Sequence, residues 1–81
     1  MSIALITSSQ IRAARHLANL SQPDIAKATG LSLPTIRRAE SERQVSISDD
    51  ALAAIRAALE AAGVEFTNGD EPGVKLRKGK T

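Results

Sequence analysis

The apolar positions of this chain recur at helical spacing through most of its length and then switch to alternation. Ile11, Ala14, Leu17 and Ala18 follow the 3.6-residue period of one helix face, with Arg12, Arg15, His16 and Asn19 on the other. Thr7 stands before this run and Gln10 three residues later, the pairing of a capping box, so a first helix is predicted from about Ser8 to Asn19. Ser21 offers the next cap, with Asp24 three positions on and Pro23 in the first turn, where its missing donor costs little. This second helix covers about Gln22 to Thr29 and draws apolar surface from Ile25, Ala26 and Ala28; Gly30 suits the left-handed residue that ends it. Ser32 caps again almost at once, and Pro34 again sits in the first turn. A third helix is expected from about Leu33 to Ser41, with Ile36 and Ala39 inward and Leu31 under the turn.

Residues 42–47 read as a loop. Ser48 then caps a fourth helix, Asp49 and Asp50 stand where the helix dipole favours acids, and Leu52, Ile55, Leu59 and Ala62 form its apolar stripe up to Gly63. Beyond it the period changes. Val64-Glu65-Phe66 and Val74-Lys75-Leu76 alternate apolar and charged residues, and Asn68-Gly69 and Pro72-Gly73 supply turn chemistry between them. A β-hairpin is predicted. Two strands alone are barely stable in water, so it must pack on the fourth helix or pair with a second chain. Residues 2–6 form an apolar lead-in, and Arg77 to Thr81 a basic end. The expected fold is mainly α, four helices over residues 1–62, with the hairpin and tail of residues 63–81 in the same domain.

Composition adds a constraint on stability. An 81-residue chain with no Cys has neither disulfides nor thiolate zinc to support a small core, and with Phe66 its only aromatic residue that core must be Leu, Ile, Val and Ala. Dimerisation is the expected additional support. The net charge of +2 is unevenly placed. Residues 1–48 are mainly basic, residues 49–74 mainly acidic, and residues 75–81 carry only basic charges. That asymmetry favours an anionic partner on one face. No membrane-length apolar run and no signal-peptide pattern are present, so a cytoplasmic location is expected. His16 is the only histidine and has no ligand partners near it in sequence, Asp49-Asp50 read as helix-start acids, and Arg56 with Glu60 as an exposed i, i+4 pair. With no nucleophile–base set, metal cluster or phosphate loop, no catalytic residue, metal or cofactor is expected.

The second and third helices, joined by a glycine turn, form a helix-turn-helix pattern. Ala26 is small where the third helix must cross, Gly30 reaches positive φ, and Ile36 fills the space between, leaving the outer face of the third helix free for a major groove. At these spacings Ser21-Gln22, Ala26, Gly30-Leu31-Ser32, Thr35-Ile36 and Glu40 resemble the Xre/Cro-type, lambda-repressor-like helix-turn-helix family of phage and bacterial repressors, over about residues 8–62. The segments Gly63-Val64-Glu65-Phe66 and Gly73-Val74-Lys75-Leu76-Arg77 resemble a C-terminal segment common among small bacterial members.

The resemblance implies a dimeric regulator, a repressor or autorepressor acting on a palindromic double-stranded DNA operator. Leu33, Pro34, Arg37 and Arg38 fall at base-reading positions: the arginines suit guanine, while Leu33 and Pro34 suit thymine methyls. Ser21, Gln22, Lys27, Ser32, Thr35, Ser41 and Arg43 fall where the sugar–phosphate backbone would be held. In this family the Gln at position 22 braces a base-reading side chain, and an Arg at position 15 pairs with the Glu at position 40. Relatives commonly carry a bulkier residue at Ala39 and a Gly at Ser41. For dimerisation the candidates are Val64, Phe66, Val74 and Leu76 on the hairpin. Two other uses of the same fold would need different partners: an antitoxin or anti-activator binding a toxin or regulator protein, or an accessory factor in DNA recombination.

Overall fold

A computed structural model describes residues 6–41, 43, 47–67 and 72–77 of the chain. Four helices come first, α1 (Ser8–Leu17), α2 (Gln22–Thr29), α3 (Leu33–Ala39) and α4 (Asp49–Ala61), followed by strands β1 (Val64–Thr67) and β2 (Gly73–Leu76). Each helix begins where a hydroxyl cap was predicted. Thr7 and Ser21 head reciprocal capping boxes with Gln10 and Asp24, while Ser32 accepts from the Thr35 amide and Ser48 from that of Ala51.

α1 stops two residues earlier than its periodicity suggested. Asn19 adopts φ 60°, a left-handed conformation that Asn tolerates better than most residues. The Asn19 and Leu20 amides then bond back to the His16 and Arg15 carbonyls, closing a Schellman turn. Its buried stripe is Gln10, Ile11 and Ala14, rotated toward Arg15, so Leu17 lies at the stripe's edge and is exposed. Ala28 is likewise exposed, because α2 buries the Ile25 side of its surface. α3 ends at Ala39, with Glu40 as its C-cap and Ser41 beyond it. On α4 the buried positions are Ala51, Ile55 and Leu59, four residues apart; Leu52 is half-buried, and Ala62, as the C-cap, is exposed.

The core is aliphatic. Ile11, Ile25, Ile36, Ile55 and Leu59 are its largest fully buried side chains, joined by Ile6, Ala14, Ala39 and Val64. At about 25 cal/mol per Å² of apolar surface, each large side chain contributes about 1.5–3 kcal/mol relative to exposure. The antiparallel hairpin pairs Val64 with Leu76, Glu65 with Lys75, Phe66 with Val74 and Thr67 with Gly73. β1 lies over α4 and β2 over α1. Of the four dimerisation candidates, Val64 is a core residue at 2 % exposure, and Phe66 and Val74 pack against the core, so the side chains of these three are engaged within the chain. Only Leu76 of the four is exposed. The rest of the loop after α3, the Asn68-Gly69 turn, residues 2–5 and residues 78–81 fall outside the described residues.

Candidate nucleic-acid interface

α3 is presented by the turn before it. α2 ends at Gly30, whose φ of 76° turns the chain; a Cβ there would meet no atom, so the backbone angle alone requires glycine. Thr29 stabilises the same corner, its hydroxyl donating to the Ile25 carbonyl at 2.8 Å and accepting from the Leu31 amide at 3.2 Å. Ile36, fully buried, and Ala39 then fix which side of α3 faces inward. By elimination of that side, Pro34, Arg37 and Arg38 face solvent, with Leu33 and Thr35 half-exposed beside them. Arg37 and Arg38 stand in the last turn of α3, where the helix dipole favours cations.

The C-terminal end of α3 is held from α1. Arg15 grips the Glu40 carboxylate with two nitrogens, Nε to Oε2 at 2.7 Å and Nη2 to Oε1 at 3.1 Å. Both side chains are largely withdrawn from water, at 13 % and 4 % exposure. Gln22 adds an amide bond from Nε2 to Glu40 Oε1 at 3.1 Å, and Arg15 Nη1 also donates to the Leu20 carbonyl at 3.0 Å. A buried carboxylate costs several kcal/mol unless its oxygens are satisfied; here three donors from two helices satisfy them. Arg12, one turn before Arg15, donates through Nη1 to the Glu40 main-chain carbonyl and through Nη2 to Ser9 Oγ at 3.2 Å.

This arrangement brings together the residues expected at the brace and adds two more to it. The Gln22 amide bonds Glu40 and so helps hold the end of α3. Arg12, read from periodicity as an outward residue, is half-buried and bound to α3; an i, i+3 arginine pair before the capped turn was the available signal. Of the remaining candidates, Ser21, Lys27, Ser32 and Arg43 are exposed, and Ser41 is half-buried. Ser32 and Thr35 hydroxyls bond each other at 2.8 Å, and Ser41 Oγ accepts from the Arg43 amide at 3.1 Å. The Asp24 carboxyl is held below the ordinary carboxylate range, first by the hydrogen bond from the Ser21 amide and then by the Ser21 hydroxyl.

A helix-turn-helix family model matches residues 11–65, from α1 into β1 and across more than half of the chain. The chain belongs to the Xre/Cro-type helix-turn-helix family. This is a DNA-binding family, and membership makes the exposed face of α3 the candidate DNA-binding element. No curated protein matches the chain. Among the described residues there is no cluster of His, Cys, Asp or Glu able to hold a metal ion, and no helix long and apolar enough to cross a membrane.

Proposed function

We propose that this protein is a sequence-specific transcriptional repressor that binds a palindromic double-stranded operator as a homodimer. The observation that carries the reading is the division of α3 into two sides. Ile36, Ala39 and Glu40 are buried and braced, while Pro34, Arg37 and Arg38 are left to solvent on a short, rigid element. A pair of arginines on a braced helix can bond guanine O6 and N7 in a major groove without first ordering a loop. Lys27, Arg43 and the hydroxyls of Ser21, Ser32 and Ser41 would hold phosphates and set the register. Two copies would place their α3 helices about 34 Å apart, in successive grooves. Occupancy of a promoter would then block transcription sterically.

The second copy would seat on the outward edge of β2, which no other described strand pairs. The Arg77 amide bonds the Gly63 carbonyl at 2.7 Å, which makes Gly63 and Arg77 a hydrogen-bonded pair. Alternation along the ladder then turns the amide and carbonyl of Val74 and Leu76 away from β1. A matching β2 could pair with them. Leu76→Pro removes one outward donor and leaves the internal ladder intact. It should give a folded monomer by sedimentation; a dimer would move the interface elsewhere.

Selection of bound duplexes from a random pool tests the reading as a whole. It should return an inverted repeat with guanine in each half-site. With about four to six phosphate contacts per subunit, log affinity should fall with log salt at a slope of about −4 to −5 per subunit. Binding indifferent to salt, or a pool that never enriches, would contradict it.

A further inference from the structure

We infer that Arg12 is a positioning residue for sequence recognition, fixing the direction in which α3 meets DNA. The inference rests on the DNA-reading role proposed for α3. Arg12 and Arg15 lie one turn apart on α1 and converge on a single residue, Glu40, at the C-cap of α3. They hold it differently. Arg15 binds the carboxylate, at the end of two rotatable side chains. That contact fixes the carboxylate, but it reaches the helix only through the rotatable bonds of the Glu40 side chain. Arg12 binds the main-chain carbonyl of Glu40, which moves as one body with the last turn of α3. That turn contains Arg37 and Arg38, and its Glu40 amide bonds back to the Ile36 and Arg37 carbonyls. Held at both its side chain and its main chain, the end of α3 cannot rotate about Glu40 without breaking one of the two.

The Arg12 guanidinium is itself oriented before it reaches α3. Its second nitrogen donates to Ser9 Oγ on the preceding turn of α1, and the side chain is half-buried. A planar guanidinium donating to two acceptors has one preferred plane, which an ammonium lacks. The helix dipole also favours a cation beside this carbonyl. Bidentate base contacts are sensitive to small displacements, whereas phosphate contacts tolerate them. Loosening α3 should therefore weaken specific binding more than non-specific binding.

The test compares Arg12→Met and Arg12→Lys with the wild type, each titrated against a selected operator and a random duplex over a range of salt. Both variants are checked for folding by thermal melting at the assay temperature. Arg12→Met keeps much of the aliphatic stem and removes the donors. It should lose about tenfold or more on the operator and less than about twofold on random duplex, with an unchanged salt slope on both. Arg12→Lys, which can reach the carbonyl but lacks the fork, should fall between; it carries the comparison alone if the Met variant does not fold. An equal loss on both duplexes, with the slope smaller by about one, would make Arg12 a phosphate contact and overturn the inference. So would an operator affinity unchanged in both variants. If the wild type itself binds both duplexes equally, the DNA-reading role of α3 fails first, and Arg12 with it.

Discussion

Two parts of the molecule are fastened to α1, one at each end of that helix, and the fastenings use opposite chemistry. Near its C-terminus, Arg15 and Arg12 hold the end of α3 through a buried charge pair and a cation on a carbonyl. At its N-terminus, the neutral amide of Gln10 holds the hairpin. Gln10 is 4 % exposed; its Oε1 accepts from the Thr7 amide at 2.8 Å, and its Nε2 donates at 3.0 Å to both the Thr67 and Gly73 carbonyls. Those carbonyls belong to the last pair of the β ladder, so one side chain ties both strands to α1. Buried charge is costly and intolerant of a missing partner, whereas a buried amide is moderate in both respects. The charged brace sits behind α3, the candidate DNA-binding element. The neutral clip sits behind the element that completes the core.

The difference in chemistry predicts a ranking. Glu40→Ala leaves Arg15 largely buried without its carboxylate and should cost about 3–5 kcal/mol of stability in denaturant titrations. A double-mutant cycle with Arg15→Ala should show coupling of about 1–3 kcal/mol. Additive losses would mean that the pair is no brace. Gln10→Ala should cost less, about 1–3 kcal/mol, since the Thr67 and Gly73 carbonyls keep ladder partners and mainly the Thr7 amide is orphaned. A loss as large as that of Glu40→Ala would erase the distinction drawn between the two fastenings.

Asp24 gives the smallest effect, with a defined sign. Its carboxyl is held below the ordinary range by the Ser21 amide and hydroxyl. Its contribution to stability is therefore present above the unfolded-state pKa of about 4 and lost as pH falls through the lower folded value. Asp24→Asn should flatten that acid limb slightly in melts carried from neutral pH down into the acid range. An acid limb identical to the wild type would assign no such role to the α2 cap.

The caps were legible in the residues because they are local: a hydroxyl before each apolar run needs nothing but its own helix. Ile36 and Ala39 were legible for the same reason, from a single period. The brace between Arg15 and Glu40 was legible only through family resemblance, since nothing local links positions 25 residues apart. Arg12 and Gln10 were missed as tertiary contacts. A helical wheel placed Arg12 outward, although its long stem reaches round to a carbonyl on α3. Gln10 was counted as the partner of Thr7, and its second bond pair depends on where the hairpin folds back. The hairpin's alternation was read correctly as one buried face, but for Val64, Phe66 and Val74 what buries that face is this chain's own core.

The most direct measurement is the binding of wild type and Arg38→Ala to the selected operator and to random duplex at matched salt. If α3 reads bases through its exposed arginines, Arg38→Ala loses about 1–3 kcal/mol on the operator, much less on random duplex, and nothing in melting temperature. Equal losses on the two duplexes, or none on either, would contradict the assignment of α3 as the reading element.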